Sequence, residues 1–232
     1  NPLLKVADLA ALGRLARESG ALFVVDNTFM TPLLQRPLEL GADLTVYSAT
    51  KYLAGHDDVV AGILVAKDPD LAGRLAFFQN AAGAGLGPLD SWLTLRGLKT
   101  LGVRLARQQA SARVVANFLT NHPAVARVHY PGLPNHPGHE RQRRQAGDFG
   151  AMVSFELADP SRAPAILAGE RLFLFAESLG GVESLITLPA VQTHADIDSR
   201  TRARLGVTEG LLRLSIGLED PDDLVADLQA VL

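Results

Sequence analysis

An amine, a carboxylate and two hydroxyls are the groups in this sequence whose types and spacing could do chemistry. The amine is Lys51, which closes the run Tyr47-Ser48-Ala49-Thr50-Lys51. The carboxylate is Asp26, which closes Phe23-Val24-Val25-Asp26 and lies 25 residues before the lysine. Ser48 and Thr50 stand three and one residues before Lys51. A lysine amine forms a Schiff base with an aldehyde, and burial makes such an amine more nucleophilic. A carboxylate can pair with a protonated pyridine nitrogen, and hydroxyls donate to phosphate. Together the four groups match the needs of pyridoxal phosphate (PLP): aldehyde, ring nitrogen and phosphate. Spacing alone leaves a plainer alternative open, in which Asp26 is a structural strand-end acid, Lys51 a surface cation, and the hydroxyls belong to a turn.

The surrounding elements must bring these groups together. The apolar run before Asp26, bounded by Gly20 and a polar cluster, predicts a buried strand. Residues 43–47 predict the next strand, and residues 33–40 a short helix closing at Gly41. Parallel neighbours of this kind place Asp26 and Lys51 at one sheet edge, where open α/β sheets bind ligands. Residues 2–19 predict an amphipathic helix capped by Gly20, and residues 63–66 a third strand. Strand, helix, strand is the pattern of an α/β layer with a mainly parallel sheet. Residues 80–88 read as a loop and 89–119 as one helix, or two joined near Gly97 or Gly102. After a Pro/Gly-rich connection at 128–134, strands at 152–157, 172–175 and 212–216 predict a smaller α+β domain. The division expected is 1–120 and 121–232.

Composition narrows the classes. The chain has 232 residues, 47% of them apolar, which suits a buried core. A net charge of −3 argues against a nucleic-acid-binding surface. With no cysteine there is neither a disulfide framework nor a thiol nucleophile. No apolar run is long enough to span a bilayer, so no membrane partner and a cytoplasmic location are expected. Gly55-His56-Asp57-Asp58 and the pair His136/His139 lack the partner spacing of a metal site, so no metal is expected. Arg213, inside an apolar strand, is costly unless paired, so either an internal acid or an anionic ligand is expected.

Asp26-Asn27-Thr28-Phe29-Met30-Thr31-Pro32, Gly41-Ala42-Asp43, Ser48-Ala49-Thr50-Lys51-Tyr52 and Gly55-His56 resemble the signature of the Cys/Met-metabolism PLP enzymes, the cystathionine γ-synthase, γ-lyase and β-lyase group. The likeness runs from Asn1 nearly to Leu232. It implies the aspartate aminotransferase-like fold of type I, with residues 1–120 as the C-terminal part of the large PLP-binding domain. It implies that Lys51 holds PLP and shuttles protons, that Asp26 pairs with the ring nitrogen, and that Ser48 and Thr50 hold the phosphate. It also implies that Arg213 holds the substrate α-carboxylate, with Ser178 beside it. Glu177 would face the distal amino group of cystathionine, which favours a cystathionine-handling enzyme.

The sequence departs from the family pattern at Tyr47 (usually His), Asp57 (usually Ser), Ala151 (usually Gly) and Gln192 (usually Met). The resemblance further implies an N-terminal part, absent from this sequence, carrying a ring-stacking aromatic residue, a phosphate loop and a Tyr/Arg pair that enters a neighbouring subunit's site. A homotetramer with shared sites is the expected assembly. The leading expectation is transsulfuration on cystathionine or an O-acylated homoserine (γ-synthase or γ-lyase type). β-Lyase chemistry and an inactive, cofactor-free fragment are the alternatives.

Overall fold

The computed structural model describes residues 1–232. In chain order the elements are α1 (Leu9–Glu18), β1 (Val24–Asp26), α2 (Thr31–Leu34), a 3-10 turn (Pro37–Leu40), β2 (Leu44–Ser48), β3 (Gly62–Ala66), α3 (Pro69–Ala82), α4 (Pro88–Leu98), α5 (Leu101–Thr120), β4 (Val125–His129) and α6 (His139–Gln145). There follow β5 (Met152–Leu157), a 3-10 turn (Pro160–Arg162), α7 (Ala163–Gly169), β6 (Leu174–Phe175), β7 (Leu185–Thr187), α8 (Ser199–Leu205), β8 (Leu211–Ser215) and α9 (Pro221–Val231). No helix is long and apolar enough to cross a membrane.

The chain packs as two compact units. One comprises Ala7–Gly102 and Arg141–Asp148, the other Asn1–Val6, Val103–Glu140 and Phe149–Leu232. From Val103 onward α5 therefore groups with the C-terminal strands, whereas the sequence reading divides the chain at residue 120.

In the first unit the strand order is β1-β2-β3. β1 and β2 are parallel, with Val24 opposite Leu44 and Asp26 opposite Val46. β3 is antiparallel to β2. The sheet within this chain is thus mixed rather than mainly parallel, because residues 49–61 form turns and no crossover helix, and so return the chain in the opposite direction. Val24 is 49% exposed, so β1 is not the buried strand expected; it is an edge strand of a three-stranded sheet. The first helix starts at Leu9, not at residue 2, because the Asp8 carboxylate accepts the Ala11 N–H at 3.0 Å and caps it there. The expected helix at 33–40 is split into α2 and a 3-10 turn, closed by Gly41 at φ 102°. The helical run after residue 88 is two helices that meet at Lys99-Thr100.

The second unit holds a five-stranded sheet in the order β4-β5-β8-β7-β6. Only β6 and β7 run parallel. Phe155 on β5 and Leu212 and Leu214 on β8 are completely buried, each worth roughly 1.5–3 kcal/mol of transfer free energy. The Asp227 carboxylate on α9 accepts the N–H groups of Arg171, Leu172 and Phe173 at 2.8 to 3.4 Å, which fastens the approach to β6. Burial opposes ionisation of Asp227, but the Glu170 carboxyl beside it and those three N–H groups prevail and its pKa is lowered. Glu170 is the counterpart: burial first, then the Asp227 carboxylate beside it, push its pKa up to about 8. A proton on Glu170 removes the repulsion that two adjacent carboxylates would feel.

The sign of this linkage is definite. Below about pH 4.5 Glu170 carries its proton in folded and unfolded chains alike. Between there and about pH 8 only the unfolded chain releases it, so stability falls as pH rises through that window. Glu170→Gln, which keeps a donor and cannot ionise, is expected to stabilise the protein by roughly 1–3 kcal/mol at alkaline pH and much less near pH 5. Urea unfolding at the two pH values checks this, and equal stabilisation at both would refute it.

Candidate active site

The first group of site residues is built by the parallel pair. β1 ends at Asp26 and β2 at Ser48, and the Asn27 N–H donates to Val46 O at 2.9 Å, which extends the pairing past the acid. Thr28 then ties the two strand ends together. Its N–H donates to Asp26 Oδ1 at 2.9 Å, and its Oγ1 accepts the Ser48 N–H at 2.8 Å. The carboxylate of Asp26 and the backbone that leads to Lys51 are therefore held by one buried side chain and its own amide.

Beyond Ser48 the chain coils into a tight turn. The Lys51 N–H donates to Ser48 O, the Ala54 N–H to Ala49 O and the Gly55 N–H to Lys51 O, at 2.8 to 3.2 Å. Lys51 is half-buried, and Tyr52, Leu53 and Ala54 behind it are buried and anchor the turn. Thr50 Oγ1 accepts the Ala61 N–H at 2.9 Å and donates to Ala61 O at 3.3 Å, so this hydroxyl also pins the strand that enters β3. Tyr47, where the family usually has His, is buried and accepts a hydrogen bond from Asn27 Nδ2 at 3.3 Å. The same Nδ2 donates to Thr31 O and Gln35 O, and so supports Thr31 at φ 56°. His56 Nδ1 lies 2.7 Å from Ala54 O.

The second group lies on β8 and its neighbouring loop. Arg213 is only 6% exposed, in register between Ser154 on β5 and Thr187 on β7. Its Nη2 donates to Ser178 O at 3.4 Å. Ser178 adopts φ 90°, and Glu177 beside it is exposed. The structure thus brings Asp26, Ser48, Thr50 and Lys51 to one sheet edge, and Arg213 and Ser178 into contact. Thr28 is a site residue that the sequence reading passed over. The Asx turn was signalled by Asp26 itself, whose carboxylate takes the N–H two residues on, whereas the long-range bond of the Thr28 hydroxyl to Ser48 left no local signal.

An acid on one strand end, with two hydroxyls and an amine on the next, is a donor set that fits PLP. The Cys/Met metabolism PLP-dependent enzyme family matches residues 1–232, and the chain belongs to that family. It is 51% identical over 232 residues to cystathionine gamma-lyase of Bacillus subtilis (strain 168), covering all of this chain and 61% of that relative. It is 50% identical to cystathionine beta-lyase of Lactococcus lactis subsp. cremoris (strain MG1363), again over 100% of this chain and 61% of the relative. Among solved structures, cystathionine gamma synthase from Xanthomonas oryzae pv. oryzae in complex with aminoacrylate and cysteine superposes with a TM-score of 0.96 at 50% identity. That match covers 99% of this chain and 60% of the neighbour. The chain spans about 60% of the length of the relatives it matches.

The turn that carries Lys51 depends on one close approach. A Cβ on Gly97 of α4 would overlap Ala54 O and lie 2.9 Å from Ala54 Cα. Backbone cannot yield as a flexible side chain does. Gly97→Ala is expected to cost on the order of 2–3 kcal/mol and to weaken PLP uptake, since the displaced turn carries the amine. Thermal unfolding and a PLP titration check both effects, and unchanged values in each would refute the dependence.

Proposed function

We propose that this chain carries the PLP-binding lysine and the substrate-carboxylate site of a transsulfuration enzyme that acts on cystathionine or an O-acylated homoserine, of the γ-synthase or γ-lyase type. The observation that carries the reading is the convergence of Asp26 and Ser48–Lys51 at one edge, joined through Thr28. When bound there, PLP supplies an aldehyde carbon and a ring that accepts the electron pair left when a substrate proton departs. Asp26 would hold a proton on the ring nitrogen. Ser48 and Thr50 would hold the phosphate, the Thr50 hydroxyl turning its hydrogen away from Ala61 O to do so. The Lys51 amine would hold the cofactor in the resting protein, then take the Cα proton and return protons at Cα, Cβ or Cγ as general acid and base.

Arg213 would grip the α-carboxylate, which its fork suits and which gives a ligand to an arginine buried in an apolar strand. Ser178 would border that carboxylate, and Glu177 would meet the distal ammonium of cystathionine by charge. The family resemblance supports a large PLP-binding domain that ends near residue 120, a small domain after it, and a homotetramer with sites shared between subunits; a cytoplasmic location completes the proposal. β-Lyase chemistry is the second reading, favoured by the Lactococcus relative at nearly the same identity. The same residues would then serve cleavage at Cβ.

Three measurements on the full-length chain test the reading. With PLP it should show a yellow absorption band that borohydride bleaches, and peptide mapping should fix the label on Lys51. Lys51→Ala should bind PLP weakly and lose turnover by about a thousandfold or more, since proton transfer contributes on the order of 10²–10⁴ and cofactor anchoring is lost as well. Wild-type turnover in that variant, or a label on another lysine, would sink the assignment. Products decide between the readings: cysteine and 2-oxobutyrate for γ-cleavage, homocysteine and pyruvate for β-cleavage.

A further inference from the structure

The loop that carries Glu177 and Ser178 is held from three sides by groups of its own unit. Ser178 O accepts from Arg213 Nη2 at 3.4 Å. The Gly180 N–H donates to Ser215 Oγ at 2.8 Å. Gly181 O accepts from Gln108 Nε2 on α5 at 2.7 Å. One residue further, Val182 O accepts the Leu218 N–H at 2.8 Å. Inside this frame Ser178 sits at φ 90°, a backbone region that a residue with a Cβ adopts only under strain. Leu179 beside it is 6% exposed and seats the loop in the core.

Gln108 is the unusual member of the frame. It is completely buried, and its Oε1 has no hydrogen-bond partner. A buried amide whose oxygen goes unpaired is costly, and each such group calls for an explanation. Its one short bond goes to the loop that carries the strained serine. Arg213 and Ser215 come from β8, whereas Gln108 comes from a helix, so it restrains the loop from a separate element. The family resemblance brought no role to this position, and α5 appeared in the sequence only as a helix with a packing stripe.

We propose that Gln108 is a positioning residue for substrate: its hydrogen bond to Gly181 O, together with that from the Gly180 N–H to Ser215 Oγ, holds Ser178 in its left-handed conformation and so shapes the carboxylate site at Arg213. This rests on the reading of Arg213 and Ser178 as the residues that meet the substrate carboxylate. The restraint acts on the ground state and the transition state alike, because the carboxylate takes no part in bond making. Its loss should therefore appear in KM and not in kcat.

The test is a double-mutant cycle in the full-length protein. Gln108→Leu keeps the volume and removes the donor. It is expected to raise KM for the amino-acid substrate about tenfold, change kcat by less than about threefold, and leave the PLP absorption band unchanged. Ser178→Gly removes the strain that needs holding, so in that background Gln108→Leu should raise KM less than about twofold. An unchanged KM in folded Gln108→Leu, or the same tenfold rise in both backgrounds, overturns the proposal. Should Gln108→Leu fail to fold, Ser215→Ala removes the neighbouring restraint and must give the same pattern. Hydrogen exchange reads the restraint without an assay: the Gly180 amide should exchange about tenfold faster in Gln108→Leu and only slightly faster once Ser178 is Gly. A wild-type protein that takes up no PLP but shows this exchange pattern refutes the functional reading and keeps the restraint. Unchanged exchange refutes the restraint itself.

Discussion

The two hydrogen bonds of Thr28 are the constraint on which the first half of the site depends. β1 contributes three residues to its sheet and β2 five, and pairs this short would be free to splay where the ladder stops. Thr28 continues the connection with side-chain chemistry. Its amide fixes Asp26, and its hydroxyl fixes the first residue of the segment that leads to Lys51. A hydrogen bond to a charged acceptor is worth about 1.5–3 kcal/mol and a neutral one about 0.5–1.5, enough to hold two strand ends in a single geometry. The acid and the amine thereby share a frame although they are distant in sequence. The turn behind Lys51 completes that frame by packing Ala54 against a glycine of α4.

In the second unit the residues proposed to bind the carboxylate are positioned differently. Arg213 lies in a central strand, where the β5 and β7 ladders leave its backbone no freedom. Ser178 lies on a loop, and a loop is held only by what touches it. Here buried polar side chains from a strand and a helix hydrogen-bond the loop at Gly180 and Gly181, next to the strained backbone of Ser178. The C-terminal helix shows the same use of buried polar groups, with Asp227 collecting three backbone N–H groups next to a carboxyl that stays protonated well above its ordinary range. That arrangement gives the unit a pH-dependent stability that its apolar core alone would lack.

Much of the site was legible from residue types. Asp26 and Lys51 each follow an apolar run, and polar groups at strand ends stand out against such runs. Gly41 was readable as a cap, and the break between α4 and α5 was expected near its place. Helix starts were less legible: Asp8 ends the extended stretch before α1, but the helical spacing of residues 2–8 looked equally good without it. Gln108 was not legible at all, since a glutamine in a helix is ordinary until the helix is known to bury it.

The sequence by itself determined which groups are candidates for chemistry, the type of most elements and the family to which the chain belongs, because these are local properties of composition, spacing and motif. Only the tertiary structure decided that β3 returns antiparallel, that β1 lies at the edge of its sheet in this chain, that α5 joins the C-terminal strands, that Thr28 bonds both Asp26 and Ser48, and that Gln108 bonds the loop of Ser178. The physical reason is the same in each case. Strand direction, register and the burial of a polar side chain are set by contacts between residues far apart in the chain, and such contacts leave no periodic trace in the segments that make them.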